Sequence, residues 1–176
     1  ANKFLMDSTG FDYIDIDPFG TPNPFLDSAI KRLSRNSILA VTATDTSSLC
    51  GTYPNSCLRK YWSIHKKNPM MHELGLRILI RKIQLIAAQY EKALTPIFSY
   101  SKDHYMRVFF NCEKSKELTN NILKKHDFFN NHGPLWFGQL WNHHLAVEIT
   151  KASKENHNLH QFLSIIAQES KLSTIG

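Results

Sequence analysis

The sequence predicts an α/β fold, and three observations support that prediction. Residues 11–17 form a strand-like run that stops at Pro18 and Gly20, which cannot continue a strand. Residues 25–33 place apolar side chains on one helical face, and residues 37–44 form a second, mostly apolar run. A strand, a helix and a strand within about thirty residues make a βαβ unit, so the two strands should be parallel neighbours.

The rest of the chain alternates between helical and strand-like patterns. Residues 49–68 show no clear periodicity, so we expect an irregular segment there. A helix is expected over residues 70–92, where apolar residues recur at helical spacing, with Pro96 as its end. The remaining predicted elements are strands over 97–100, 105–112 and 133–140 and helices over 114–125, 143–154 and 159–170.

The composition narrows the classes of protein to which this chain can belong. Lys and Arg number 21 against 15 Asp and Glu, a formal net charge of +6 that suits a polyanion such as nucleic acid. Three cysteines give neither a disulfide framework nor a Cys-x-x-Cys pair, so we expect reduced thiols in a cytoplasmic protein. The longest apolar stretch, 74–88, contains four polar or charged residues, which excludes a membrane span there. The chain becomes more polar after Cys112, which predicts two domains, 1–112 and 113–176.

Asp17-Pro18-Phe19-Gly20 is the segment most suited to chemistry. It follows a predicted parallel strand, and ligands of open α/β sheets bind beyond the carboxyl ends of such strands. The carboxylate of Asp17 and a carbonyl near Pro18 suit the hydrogens of an exocyclic base amino group, while Phe19 suits stacking on the base. Gly20 lets a substrate approach the backbone. Because Asp, Pro and Gly are also common in turns, these four residues alone leave a simple strand-ending turn as the alternative.

A series of blocks between residue 11 and about residue 141 resembles the tRNA guanine-26 N2-dimethyltransferase family, in the family's order. The blocks are DIDPFGTP (15–22), PFLDSA (24–29), AVTATDT (40–46), LCGTYP (49–54), CLRKY (57–61), HELGLRIL (72–79), SYSKDHYMRV (99–108) and GPLWFG (133–138).

The resemblance implies the C-terminal half of a Rossmann-like class I methyltransferase sheet, followed by a smaller α+β domain. It implies methylation or dimethylation of the N2 amino group of guanine 26 in tRNA, with S-adenosyl-L-methionine as cofactor. Asp17, Pro18 and Phe19 match the catalytic residues, and Ala1 and Asp17 match positions at the cofactor. The family's glycine-rich donor loop lies before Asp17 and is absent here, so we expect a fragment that is inactive in isolation. Relatives with a zinc-finger-like insert carry cysteines where residues 123–132 have none, so no metal is expected.

Basic residues after the second strand are the candidate RNA contacts. Arg59, Lys60, Lys66 and Lys67 fall in one short stretch and suit the phosphates of a tRNA partner. Two alternatives stay open: a DNA amino-methyltransferase, because the same tetrapeptide serves adenine or cytosine, and a non-catalytic tRNA-binding fragment. The sequence leaves the oligomeric state open.

Three further side chains have open roles. Asp45 suits either the same cleft or a helix cap. Glu73 and Arg77 are predicted to form an ion pair on one helix face, whereas Arg81 suits either that face or a phosphate.

Overall fold

A computed structural model describes residues 1–171 and residue 175. The first half contains α1 (Asn2–Met6), β1 (Phe11–Ile16), α2 (Asn23–Arg32), β2 (Leu33–Ala43), α3 (Thr46–Leu49), α4 (Pro54–Tyr61) and α5 (Met71–Ala88). The second half contains β3 (Lys92–Lys102), β4 (Tyr105–Lys114), α6 (Lys116–Leu123), β5 (His126–Phe129), β6 (His132–Trp136), α7 (His143–Ala152) and α8 (His157–Glu169).

The main sheet is mixed and has the strand order β1-β2-β4-β3. Strands β1 and β2 are parallel and joined through α2, so the predicted βαβ unit and α/β class are confirmed. Strand β4 runs antiparallel to both β2 and β3. A separate two-stranded sheet is formed by β5 and β6.

The core lies on one face of the main sheet. Ile14 pairs with Leu39 and Ile16 with Val41, so these apolar side chains share a face because side chains alternate along a strand. Helix α5 packs in the same buried cluster, and its residues 74–80 are all buried. Full burial of one Leu or Ile side chain contributes roughly 1.5–3 kcal/mol, so this helix is a major source of stability.

The other face of the sheet is polar near β1 and aromatic near β3. Arg107 on β4 donates to the Asp15 carboxylate on β1 at 2.6 Å, and to Thr42 between them. Farther along, α7 and α8 cover Phe98 and its neighbours in a second, smaller buried cluster. Asp15 therefore has a structural partner and points away from the main core.

Residues 49–68 contain a helix that periodicity did not reveal. Helix α4 has proline as its first residue, a position where the missing N–H costs nothing. Only Cys57 and Tyr61 are buried among its residues, four positions apart. One short apolar stripe of two residues is too weak a pattern to identify a helix.

Pro96 does not end the long helix, so that prediction was wrong. Helix α5 ends at Ala88, and Pro96 lies inside β3 beside an irregularity in the pairing register. Strand β3 is at the edge of the sheet, where a residue without an N–H is tolerated. The predicted helix over 114–125 is shorter, and β5 follows it as the unexpected partner of β6.

The predicted division into 1–112 and 113–176 stays a prediction. Residue 112 lies within β4, and Ile122 and Leu135 from the second part belong to the same buried cluster as Leu94. Within the described ranges, no helix is both long enough and apolar enough to cross a membrane.

Candidate active site

The loop Asp17–Gly20 lies where β1 and β2 both end. Gly20 has a φ of +84°, a backbone conformation that favours glycine. Its N–H donates to Thr44 Oγ1 at 2.6 Å, and the Thr44 N–H donates to the Gly20 carbonyl at 2.9 Å. These two bonds fasten the loop to the end of β2, so its position is set by the parallel pair of strands.

Two side chains of the loop face solvent. The Phe19 ring is fully exposed, and Asp17 is exposed as well. In the part of the chain that the structure describes, the Asp17 carboxylate makes no side-chain hydrogen bond or ion pair. An exposed ring beside an unengaged carboxylate is an arrangement that can receive a planar group bearing N–H donors.

A cavity of about 360 Å³ lies between α1 and β1. Ala1 and Asp17 both line it, together with Pro18 and the side chains of Phe4 and Phe11. Ligand pockets commonly measure roughly 300–1,000 Å³ and have mainly apolar walls with a few polar groups. The structure therefore brings together Ala1 and Asp17, the two residues that sequence resemblance assigned to the cofactor.

A buried network of polar side chains supports the Asp17–Gly20 loop. Tyr61 is completely buried, its hydroxyl donates to the Asp45 carboxylate, and it accepts from the Thr21 hydroxyl at 3.1 Å. Lys60 Nζ donates to the other carboxylate oxygen of Asp45 at 2.9 Å. Burial and the neighbouring Asp45 raise the pKa of Tyr61, so its hydroxyl keeps its proton and remains a donor. Since Thr21 follows Gly20 directly, the network links α4 to the loop.

Asp45 has neither of its two predicted roles, which were to line the same cleft as Asp17 or to cap a helix with its side chain. It precedes α3, but its side chain makes no capping hydrogen bond to that helix. Instead the carboxylate, 13% exposed, is turned towards Lys60 and Tyr61. Each of its two oxygens therefore accepts a hydrogen bond within the protein.

The candidate RNA contacts lie on α4 and in the segment after it. Arg59, Lys66 and Lys67 are exposed, whereas the Lys60 ammonium is paired with Asp45. Gly51 lies against the Lys66–Lys67 backbone, since a Cβ at Gly51 would stand 2.6 Å from the Lys66 carbonyl carbon. The Lys67 N–H also donates to the Gly51 carbonyl at 3.2 Å, so the segment with both lysines is fixed to the end of α3.

The predicted ion pair between Glu73 and Arg77 on α5 is confirmed, whereas Arg81 has a different kind of partner. Arg77 Nε donates to Glu73 at 2.8 Å, and its Nη1 donates to the carbonyls of Trp136 and Gly138. Arg81 makes no ion pair among the described residues; its Nη1 donates to the Trp62 carbonyl at 3.2 Å.

Sequence reasoning missed the residues that hold the loop. Thr21, Thr44 and Tyr61 were each inside a conspicuous block, but no local pattern indicates that their hydroxyls meet. The roles of Asp17, Pro18, Phe19 and the basic residues stay predictions.

Known proteins resemble this chain in sequence and in structure. A family model described as N2,N2-dimethylguanosine tRNA methyltransferase matches residues 1–131. The tRNA (guanine(26)-N(2)/guanine(27)-N(2))-dimethyltransferase of Aquifex aeolicus is 36% identical over 211 residues, which cover 100% of this chain and 54% of that protein. The tRNA (guanine(26)-N(2))-dimethyltransferase of Thermococcus kodakarensis is 35% identical, over 96% of this chain and 51% of that protein.

The structure of Trm1 from Pyrococcus horikoshii in complex with S-adenosyl-L-methionine is similar, with a TM-score of 0.89. The sequences are 31% identical, over 95% of this chain and 52% of that one. The chain spans about half the length of the curated relatives it matches. With the family model covering most of its length, the chain belongs to the N2,N2-dimethylguanosine tRNA methyltransferase family.

Proposed function

We propose that the protein containing this chain transfers methyl groups from S-adenosyl-L-methionine to the N2 amino group of guanine 26 in tRNA. The observation that carries the proposal is the loop at the carboxyl end of β1, where the exposed Asp17 carboxylate stands beside the fully exposed Phe19 ring. The names of the similar proteins support the substrate, and the bound molecule in the Pyrococcus horikoshii structure supports the cofactor.

The loop addresses the difficulty of methylating a base amino group. The nitrogen lone pair is delocalised into the ring, so the nitrogen is a poor nucleophile. Hydrogen bonds from the two amino hydrogens to the Asp17 carboxylate and the Pro18 carbonyl favour the geometry that frees the lone pair. When the nitrogen takes the methyl group, the donor's sulfur–carbon bond would break with its electron pair remaining on sulfur, and the Asp17 carboxylate would accept the surplus proton from nitrogen.

Positioning of the guanine base supplies most of the remaining rate acceleration. Phe19 would stack on the guanine and fix its approach, a contact worth about 1–3 kcal/mol per base. The two Gly20–Thr44 hydrogen bonds keep the loop from adjusting its position during the reaction. The protein therefore orients the base rather than activating the donor.

The cavity fits part of the proposed donor. Its apolar walls and the carboxylate at one end suit an adenosine ring next to a charged group, and Ala1 and Asp17 are the residues that would hold it. When bound, S-adenosyl-L-methionine supplies a methyl group that is already electrophilic. The exposed Arg59, Lys66 and Lys67 and the partly exposed Lys60 would contact tRNA phosphates.

Replacing Asp17 tests the proposed chemistry. In the full-length protein, Asp17→Ala should lower kcat by at least about 100-fold, because both the acceptor and the proton-accepting group are lost. The dissociation constant for tRNA should stay close to that of the wild type. Mass spectrometry of nucleosides from a digested tRNA transcript would measure N2-methylguanosine and N2,N2-dimethylguanosine.

Asp12→Ala is the matched control, since Asp12 is an exposed carboxylate on β1, five positions before Asp17, and does not line the cavity. Near-normal turnover by Asp17→Ala would refute the role of Asp17. Methylation of DNA duplexes in place of tRNA would support the alternative substrate.

A further inference from the structure

Trp62 has an unusual backbone conformation for a bulky residue. It follows α4 with a φ of +57°, in the left-handed region where helix ends usually have glycine or asparagine. Its side chain is 48% exposed, so burial of the indole does not compensate fully for the strain. Strained, exposed residues of this kind are concentrated at sites that bind or catalyse.

Two basic side chains of α5 lie against this tryptophan. The Lys82 ammonium lies over the Trp62 ring, although Lys82 itself is buried. Arg81 donates from Nη1 to the Trp62 carbonyl at 3.2 Å, and its Nε is buried without a hydrogen-bond partner. Neither residue has a carboxylate partner in the described ranges, whereas Arg77, one turn earlier, is paired with Glu73.

Within the described residues, the positive charges near Trp62 are therefore not neutralised by a carboxylate. Burial, with a smaller contribution from Arg81, lowers the pKa of Lys82 to about 8. The same two causes lower the pKa of His126 to about 4, which keeps that imidazole neutral. An anion near Arg81 would relieve the repulsion between the two basic groups, since opposite charges stabilise protonated forms.

The surroundings of Trp62 also favour nucleic acid. Arg59, three positions before Trp62 in the sequence, is an exposed basic residue on α4. Trp62 directly follows Tyr61, which belongs to the network below the Asp17–Gly20 loop. An aromatic surface beside uncompensated basic groups is the combination that binds single-stranded nucleic acid.

We propose that Trp62, Arg81 and Lys82 form a contact site for one unpaired nucleotide of tRNA. The base stacks on the exposed part of the indole, and the adjoining phosphate pairs with Arg81 above the buried charge of Lys82. This inference rests on the proposed function, because it gives that tRNA a second contact outside the loop that holds the target guanine.

Replacing Trp62 with glycine separates binding from folding. Glycine adopts a φ of +57° without strain, which offsets the lost contact between the indole and Lys82, so Trp62→Gly in the full-length protein should change the melting temperature little. The dissociation constant for an unmodified tRNA transcript, measured without methyl donor, should rise about 5- to 150-fold. Trp62→Tyr, which keeps an aromatic ring, should restore most of the affinity.

Arg81 and an unrelated aromatic residue provide two further comparisons. Arg81→Gln should reduce the slope of log Kd against log salt concentration by about one, the loss of a single phosphate contact. Phe128→Ala removes another exposed ring, 51% accessible on β5, and should leave tRNA affinity unchanged.

An unchanged dissociation constant for Trp62→Gly, or an equal loss in Phe128→Ala, would overturn the inference. A lower melting temperature for Trp62→Gly with unchanged tRNA affinity would overturn it too, because the indole would then serve only the packing of the protein. These results leave the proposed function standing if the wild type methylates tRNA. Failure of the wild type to bind tRNA would overturn both.

Discussion

The hydroxyl of Tyr61 offers a direct test of how the loop is held. Tyr61→Phe keeps the buried ring but removes the donor to Asp45 and the acceptor for Thr21. A hydrogen bond to a charged group contributes about 1.5–3 kcal/mol, and one between neutral groups about 0.5–1.5 kcal/mol. Phenylalanine is easier to bury, which offsets part of this loss. We therefore expect the free energy of unfolding to fall by about 2–3 kcal/mol.

Urea unfolding followed by circular dichroism would measure that change. Tyr53→Phe is the matched control, because Tyr53 is 62% exposed and should shift the free energy of unfolding by less than about 0.5 kcal/mol. A double-mutant cycle with Asp45→Ala should give a coupling energy of about 1.5–3 kcal/mol, since both changes remove the same bond. If Tyr61→Phe matched the wild type, or if the two changes were additive, the hydroxyl would not support the network.

A measurement of methyl transfer separates an effect on the position of the loop from an effect on the stability of the fold. Under the proposed function, Tyr61→Phe in the full-length protein should lower kcat while the dissociation constant for tRNA changes little. The loop loses its connection to α4 through Thr21, whereas the exposed basic residues are unaffected. A change confined to tRNA affinity would place the effect of Tyr61 elsewhere.

Two predictions concern buried basic groups. Lys92 Nζ donates to three backbone carbonyls around the end of α2 at 2.6–3.0 Å. Lys92→Met should therefore lower the free energy of unfolding by about 3 kcal/mol. Lys102→Met, at the exposed end of the same strand, should not lower it. Equal urea midpoints for the two variants would contradict this. Burial, then the facing His132, lowers the pKa of His65 from 6.5 to about 4, so the unfolded chain binds the proton first and His65 alone should lower stability by about 3 kcal/mol as pH drops from 6.5 to 4. His65→Gln should reduce that pH dependence, to which His126 makes a similar contribution, and the exposed His144→Gln should leave it unchanged; a slope unchanged in His65→Gln would show that other groups carry it.

The parts of the fold that were predictable are those with a strong local pattern. The βαβ unit followed from a strand-like run that Pro18 and Gly20 end, a helical apolar face and a second apolar strand, and the long helix followed from its repeated apolar positions. Helix α4 was missed because only two of its residues are buried. Pro96 was misread because its tolerance depends on β3 being an edge strand, a property of the assembled sheet.

The candidate site shows the same limit. A strand followed by Asp17-Pro18-Phe19-Gly20 indicates where a ligand would bind, since that depends on the direction of one strand. The support from Tyr61 and Asp45 joins residues 16 positions apart in sequence, and Tyr61 reaches Thr21 across 40. No local pattern encodes such contacts, because they form only when α3 and α4 pack beside the loop.

Gly51 shows how a residue without a side chain can shape recognition. It touches neither the loop nor the cavity, yet its missing Cβ lets the Lys66–Lys67 backbone come close. Any larger residue would have to displace that backbone, and its φ of +78° would be strained as well. Under the proposed function, a Gly51 variant in a genetic screen scored by RNA modification would resemble the loss of both lysines, although both would still be present in the sequence.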